Sequence, residues 1–172
     1  MGKTALLLLD LQQVNKITDA ARSAHITTIY VRTGFRKGHP DISPNNARFS
    51  RIAASGSFTE EDASVTFPQS LEIRSDDIVV TKRRVSAFTG SDLELVLRSL
   101  GVDTLVILGI STSNAVLSTV RQASDMDYNL TLVGDMCYDP EPELGKYLLE
   151  NVLVKQARVV GWEEWVKEIG TA

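Results

Sequence analysis

The chain has 172 residues, 43% of them apolar, and a formal net charge of −4. That size suits one domain with one full core over residues 1–172, and the acidic balance argues against a nucleic-acid surface. The single cysteine, Cys137, excludes an internal disulfide framework and fits a reducing compartment. No apolar stretch approaches the roughly 20 residues needed to span a bilayer, so the expectation is a cytoplasmic protein without membrane or nucleic-acid partners.

Residues 4–9 form an unbroken apolar run, the pattern of a central parallel strand buried on both faces. Residues 14–24 have helical spacing, with Val14, Ile17 and Ala21 on one side, and residues 26–31 read as a second strand. Residues 33–75 are irregular and rich in Gly, Pro, Asn and Ser, with one helical turn expected near 60–63. A loop this long is expected to cover a site. Strand three follows at 78–81, and Ser91, with Glu94 three residues on, is the expected N-cap of a helix through Leu100. Strands are expected at 104–108, 130–133 and 157–160, with helices at 113–127, 141–155 and 162–169 between and after them. Such alternation means a three-layer α/β/α domain with a six-stranded parallel sheet and right-handed crossovers.

The stretch around 102–118 organises the rest. An apolar run ends at Gly109, passes a small polar turn and enters a helical pattern. Such a strand–turn–helix junction points backbone N–H groups at whatever binds there. Asp10, directly after an apolar strand, stands where a partly desolvated acid or base would be placed, although a solvated turn residue reads the same way.

Three segments carry a resemblance. Gly109-Ile110-Ser111-Thr112-Ser113-Asn114-Ala115-Val116, Leu7-Leu8-Leu9-Asp10-Leu11-Gln12 and Lys82-Arg83-Arg84-Val85-Ser86-Ala87-Phe88 resemble motifs of the isochorismatase-like cysteine hydrolase superfamily. The resemblance covers nearly the whole chain and implies a Rossmann-type sheet of order 3-2-1-4-5-6. It also implies Asp10 as catalytic acid or base and Lys82 as its cationic partner. In such proteins a non-proline cis peptide falls where Ile110-Ser111 stands, and the oxyanion hole uses amides mapping to Ser111 and Ala115. Thr112, Asn114, Gln12 and Phe88 complete the expected binding residues. The nucleophilic cysteine of most members maps to Ala115, and a methyl group cannot attack a carbonyl. The link Leu11-Gln12-Gln13 is also shorter than in relatives.

Cys137 could in principle replace the thiol from the next strand, but a lone cysteine is usually a small buried hydrophobe. His25 and His39 form no metal site, since only His39 and Asp41 fall in the loop where metal-binding relatives carry an Asp and two His. No metal or cofactor is expected. Arg32, Arg36, His39, Asn45, Asn46 and Arg48 are candidate contacts to an anionic or carbonyl-rich ligand, each reading alone as a polar loop residue. Trp162 and Trp165 suit packing of the last helix. Three functions compete: a hydrolase of a small carbonyl, amide or enol-ether substrate working through Asp10 without a thiol, as true isochorismatases do; a catalytically silent binder; and a cysteine amidohydrolase whose cysteine was replaced by design. The family habit implies a homo-oligomer.

Overall fold

The computed structural model describes residues 2–9 and 14–170. Strands β1 (Lys3–Leu9), β2 (Thr27–Thr33), β3 (Ile78–Lys82), β4 (Val102–Ile110), β5 (Asn129–Tyr138) and β6 (Arg158–Val160) form one parallel sheet in the order β3-β2-β1-β4-β5-β6. This is the expected order. Successive side chains of a strand point to opposite faces, which explains why the central strands read as unbroken apolar runs. Leu7 and Leu9 join Val31, Val80, Leu105 and Ile107 under helices α3 (Leu93–Leu100) and α4 (Leu117–Asp125). Leu6 and Leu8 join Tyr30, Val106 and Leu108 under α1 (Asn15–Ser23) and α6 (Trp162–Gly170). Each buried leucine contributes about 1.5–3 kcal/mol. Trp165 is buried in this second core and Trp162 packs against it, as their spacing suggests.

The remaining helices depart from expectation in informative ways. The long loop holds a helix, α2 (Ser50–Ser55), and a tight turn at Ala63–Val65 rather than one turn at 60–63. None of the α2 residues is buried, so no apolar periodicity announces it. The helix expected at 141–155 is α5 (Pro142–Tyr147), a wide turn over Leu148–Val152 and a tight one over Leu153–Lys155. Ser91 is displaced from its expected role. The N-cap is Asp92, while Ser91 Oγ accepts the Leu93 N–H at 3.3 Å and donates to Ala87 O at 2.5 Å. Glu94 pairs with Arg98 one turn on. Among the described residues, no helix is long and apolar enough to cross a membrane.

One buried ion pair ties α1 to the loop before β3. Arg22 and Asp77, with side chains 10% and 3% exposed, pair directly, and Arg22 also donates to Tyr30 Oη at 3.0 Å and Glu72 O at 2.8 Å. Removing Asp77 leaves the largely buried Arg22 with the half-exposed Asp19 carboxylate at 3.1 Å and with neutral oxygens, a poorer match for its charge. Asp77→Ala is expected to cost about 3 kcal/mol, read from the urea midpoint; a change under about 0.5 kcal/mol would contradict this.

Candidate active site

The site is built where β1 and β4 lie side by side at the switch point of the sheet. Leu9 pairs with Gly109, so the carboxyl ends of the two strands open at one level. Asp10 and Gln12 lie outside the described residues. Gly109 has φ +143°, and a Cβ there would stand 2.1 Å from Leu9 O, so only glycine lets the strands meet. The Ile110-Ser111 peptide bond is cis, as the resemblance implies. The chain then makes a wide turn over Thr112–Val116 before α4. Val116 N–H bonds back to Ser111 O at 3.2 Å and Asn114 N–H to the same oxygen at 3.1 Å. Five-residue hydrogen bonds of this kind are frequent at functional sites. The helix expected at 113–127 thus starts as this turn. Ala115 is 4% exposed and belongs to the α3–α4 core.

Lys82 ends β3 opposite Thr33 and is only 3% exposed. Its Nζ donates to Thr33 Oγ1 at 2.8 Å and to Arg84 O at 3.4 Å. Strand alternation puts it on the face of Val80, which shares a core with Leu9, Val31 and Ala115. The ammonium is therefore held at the carboxyl edge of the sheet on the side of the turn. A charge so far from water persists only with polar partners. The segment after it is sewn to α4 by the Ala87 N–H, which donates to Thr119 Oγ1 at 3.0 Å. Phe88 is buried, its ring centroid 6.0 Å from that of Tyr128.

The turn is held from outside by a residue that sequence reasoning missed. Asp139 is 5% exposed, and its Oδ2 accepts the Ser113 N–H at 2.6 Å while Oδ1 accepts the Glu141 N–H at 3.1 Å. Burial pushes this carboxyl up, yet the hydrogen bonds from the Ser113 hydroxyl and the two amides outweigh it and hold the group below the usual carboxylate range. The only local hint was an aspartate before proline at a strand end. On the other side, Asn114 Nδ2 donates to Ser111 Oγ at 2.9 Å and to Ser113 Oγ at 3.1 Å, and its Oδ1 accepts from Arg48 Nη1 at 2.9 Å.

Of the other loop candidates, several hydrogen-bond within the fold. Arg32 donates to Thr81 Oγ1, Arg36 meets Asp41, His39 bonds Ser57 O, the Asn45 N–H bonds Ser43 Oγ and Asn46 Oδ1 accepts the Phe49 N–H. Arg48 is the one of these shown reaching the signature turn. His25 and His39 sit in turns with positive φ. Among the described residues, no group of three or more His, Cys, Asp or Glu could hold a metal.

Cys137 lies within β5, which runs five residues beyond the expected end at 133, and it pairs with Gly109. Part of the residue reaches the surface, but burial pushes its thiol up to about 12, against the lowering effect of the Gly109 backbone hydrogen bond. Only the thiolate is a nucleophile, and burial disfavours that form here. An unfolded thiol releases its proton near about 8.5. The stability linked to Cys137 is therefore present below that pH and lost as pH rises toward 12. At pH 8, iodoacetamide is expected to alkylate the native protein at least about tenfold more slowly than the urea-unfolded chain; equal rates by mass spectrometry would contradict this.

The Isochorismatase domain description matches residues 5–164 of this sequence. The chain belongs to the isochorismatase family. It is 31% identical over 182 aligned positions to the uncharacterized isochorismatase family protein YwoC of Bacillus subtilis (strain 168), covering 97% of this chain and 94% of that one. It is 39% identical over 97 residues to the uncharacterized family member YecD of Escherichia coli O157:H7, covering 56% of this chain and 52% of YecD. The ureidoacrylate amidohydrolase RutB of Acinetobacter baylyi (strain ATCC 33305 / BD413 / ADP1) is 28% identical over 159 residues, with 82% of this chain and 63% of RutB covered. The chain thus spans about half of YecD and under two thirds of RutB. Among solved structures, a cysteine hydrolase from Pseudomonas syringae pv. phaseolicola 1448A superposes with a TM-score of 0.88 at 21% identity, covering 98% of this chain and 93% of that one. That likeness shows that the isochorismatase-family fold is shared.

Proposed function

We propose that this family member is a hydrolase of a small carbonyl, amide or enol-ether compound, with Asp10 moving the proton, Lys82 supplying fixed positive charge and the amides of the Ser111–Ala115 turn receiving a substrate oxygen. The observation that carries this reading is the burial of Lys82, 3% exposed as a residue, at the carboxyl edge of the sheet, on the face of the turn. An ammonium kept from water is costly, and preorganised charge of this kind opposes negative charge as it builds on a substrate oxygen. Family resemblance adds a cytoplasmic homo-oligomer without a metal or cofactor.

With a methyl at position 115, no acyl group is carried on the protein there. For an amide, Asp10 takes a proton from attacking water and returns it to the leaving nitrogen. For an enol ether, protonated Asp10 gives its proton to the vinyl carbon, water adds to the oxocarbenium carbon and returns a proton to Asp10, and the resulting hemiketal breaks its ether C–O bond, its hydroxyl proton going to the departing alcohol as the ketone forms. The likeness to RutB supports a ureido or amide substrate, and the absent thiol supports the enol ether. Asp10→Asn is expected to lower kcat on isochorismate or ureidoacrylate, whichever the wild type hydrolyses, by about 10²- to 10⁴-fold. Unchanged turnover would remove Asp10 from the mechanism. A binder without turnover is the second reading, favoured by the packing of Ala115 within the core; tight ligand binding with no hydrolysis would support it.

A further inference from the structure

The ladder between β4 and β5 is irregular after Ile107 and resumes with Gly109 opposite Cys137 and Ile110 opposite Tyr138. This extension brings Asp139, the next residue, alongside the signature turn. Its carboxylate is fixed from three directions. β5 delivers it, the Glu141 N–H holds Oδ1 from the chain just beyond, and α5 packs so closely that a Cβ at Gly145 would stand 2.8 Å from Asp139 Cβ. Oδ2 takes the Ser113 N–H, and Ser113, Asn114 and Arg48 continue one line of hydrogen bonds from β5 across the turn to the loop before α2.

We propose that Asp139 is a positioning residue of this site: its carboxylate holds the Ser111–Ala115 turn, and through it Asn114 and Arg48, in the arrangement that presents the turn's amides to substrate. The inference rests on the proposed hydrolase reading for its kinetic consequence. The residue type follows from the donors. Both oxygens accept from backbone N–H groups, and an amide of the same shape would set its own NH2 against one of them. Simple space-filling would tolerate asparagine; positioning by a two-sided acceptor does not.

The Asp139→Asn protein and the wild type are compared by steady-state kinetics and by hydrogen–deuterium exchange. The expected result is a kcat lowered about 10²-fold, the scale of a misplaced constellation, with KM within about threefold. Exchange should quicken at residues 111–116 and around Arg48 while α1 and α6 stay as in wild type. An unchanged kcat overturns the proposal, as does quickening spread evenly over the molecule, which marks general destabilisation. If the wild type hydrolyses neither isochorismate nor ureidoacrylate, the hydrolase reading fails and exchange alone decides: faster exchange confined to the turn and Arg48 supports positioning, and an unchanged pattern overturns it.

Discussion

Gly109→Ala is expected to leave little folded protein at 37 °C. The added methyl carbon would stand 2.1 Å from Leu9 O and 2.6 Å from Leu9 Cβ, at a backbone φ of +143°. Neither obstacle can swing aside, because both belong to the central strand β1, which pairs with β2 on one edge and β4 on the other. Relief would require separating β1 from β4, and with it the two cores that depend on their contact. The strain of the φ value adds to the overlap. Together they are expected to cost more than about 4 kcal/mol, the range of severe core defects, against a total stability on the order of 5–15 kcal/mol. Urea unfolding followed by circular dichroism measures it, and a loss below about 1 kcal/mol would contradict the close approach.

Lys82→Met is expected to lower kcat/KM by about 10²- to 10³-fold, the cost of removing one preorganised electrostatic partner, while the protein stays folded. Methionine fills the channel of the lysine stem with an apolar chain of similar length. What it loses is the ammonium that donates to Thr33 Oγ1 and Arg84 O and that, in the proposed mechanism, faces the reacting oxygen. Lys82→Arg is expected to fail as well, since a planar guanidinium does not reproduce a compact ammonium at a residue that is 3% exposed. Circular dichroism with steady-state kinetics separates the two effects. A folded Lys82→Met protein with full activity would take Lys82 out of the chemistry.

Much of the scaffold was legible because parallel strands announce themselves. The run at 4–9 and the run ending at Gly109 are apolar on both faces, and helices with a buried stripe separate the strands. Strand order was not legible from periodicity; it came from the motifs around Asp10, Lys82 and Gly109. Local reasoning failed where distant partners decide the geometry. β5 continues beyond Val133 only because Gly109 and Ile110 offer it a second stretch of ladder. The helix start at 113 is instead a wide turn whose Ser113 N–H is held by a carboxylate 26 residues away. The Arg48–Asn114 bond spans 66 residues, and no pattern within either segment marks it. Residue identity could suggest that Arg48 touches something; only the fold says what.

The central claim, hydrolysis without a thiol, is tested most directly by assaying wild type and Ala115→Cys side by side on isochorismate and ureidoacrylate. The account predicts that the wild type already hydrolyses at least one of them and that its rate is unaffected by prior treatment with iodoacetamide. A wild type inert toward both, beside an Ala115→Cys protein that hydrolyses either, would contradict it and show that this site works only with a sulfur nucleophile.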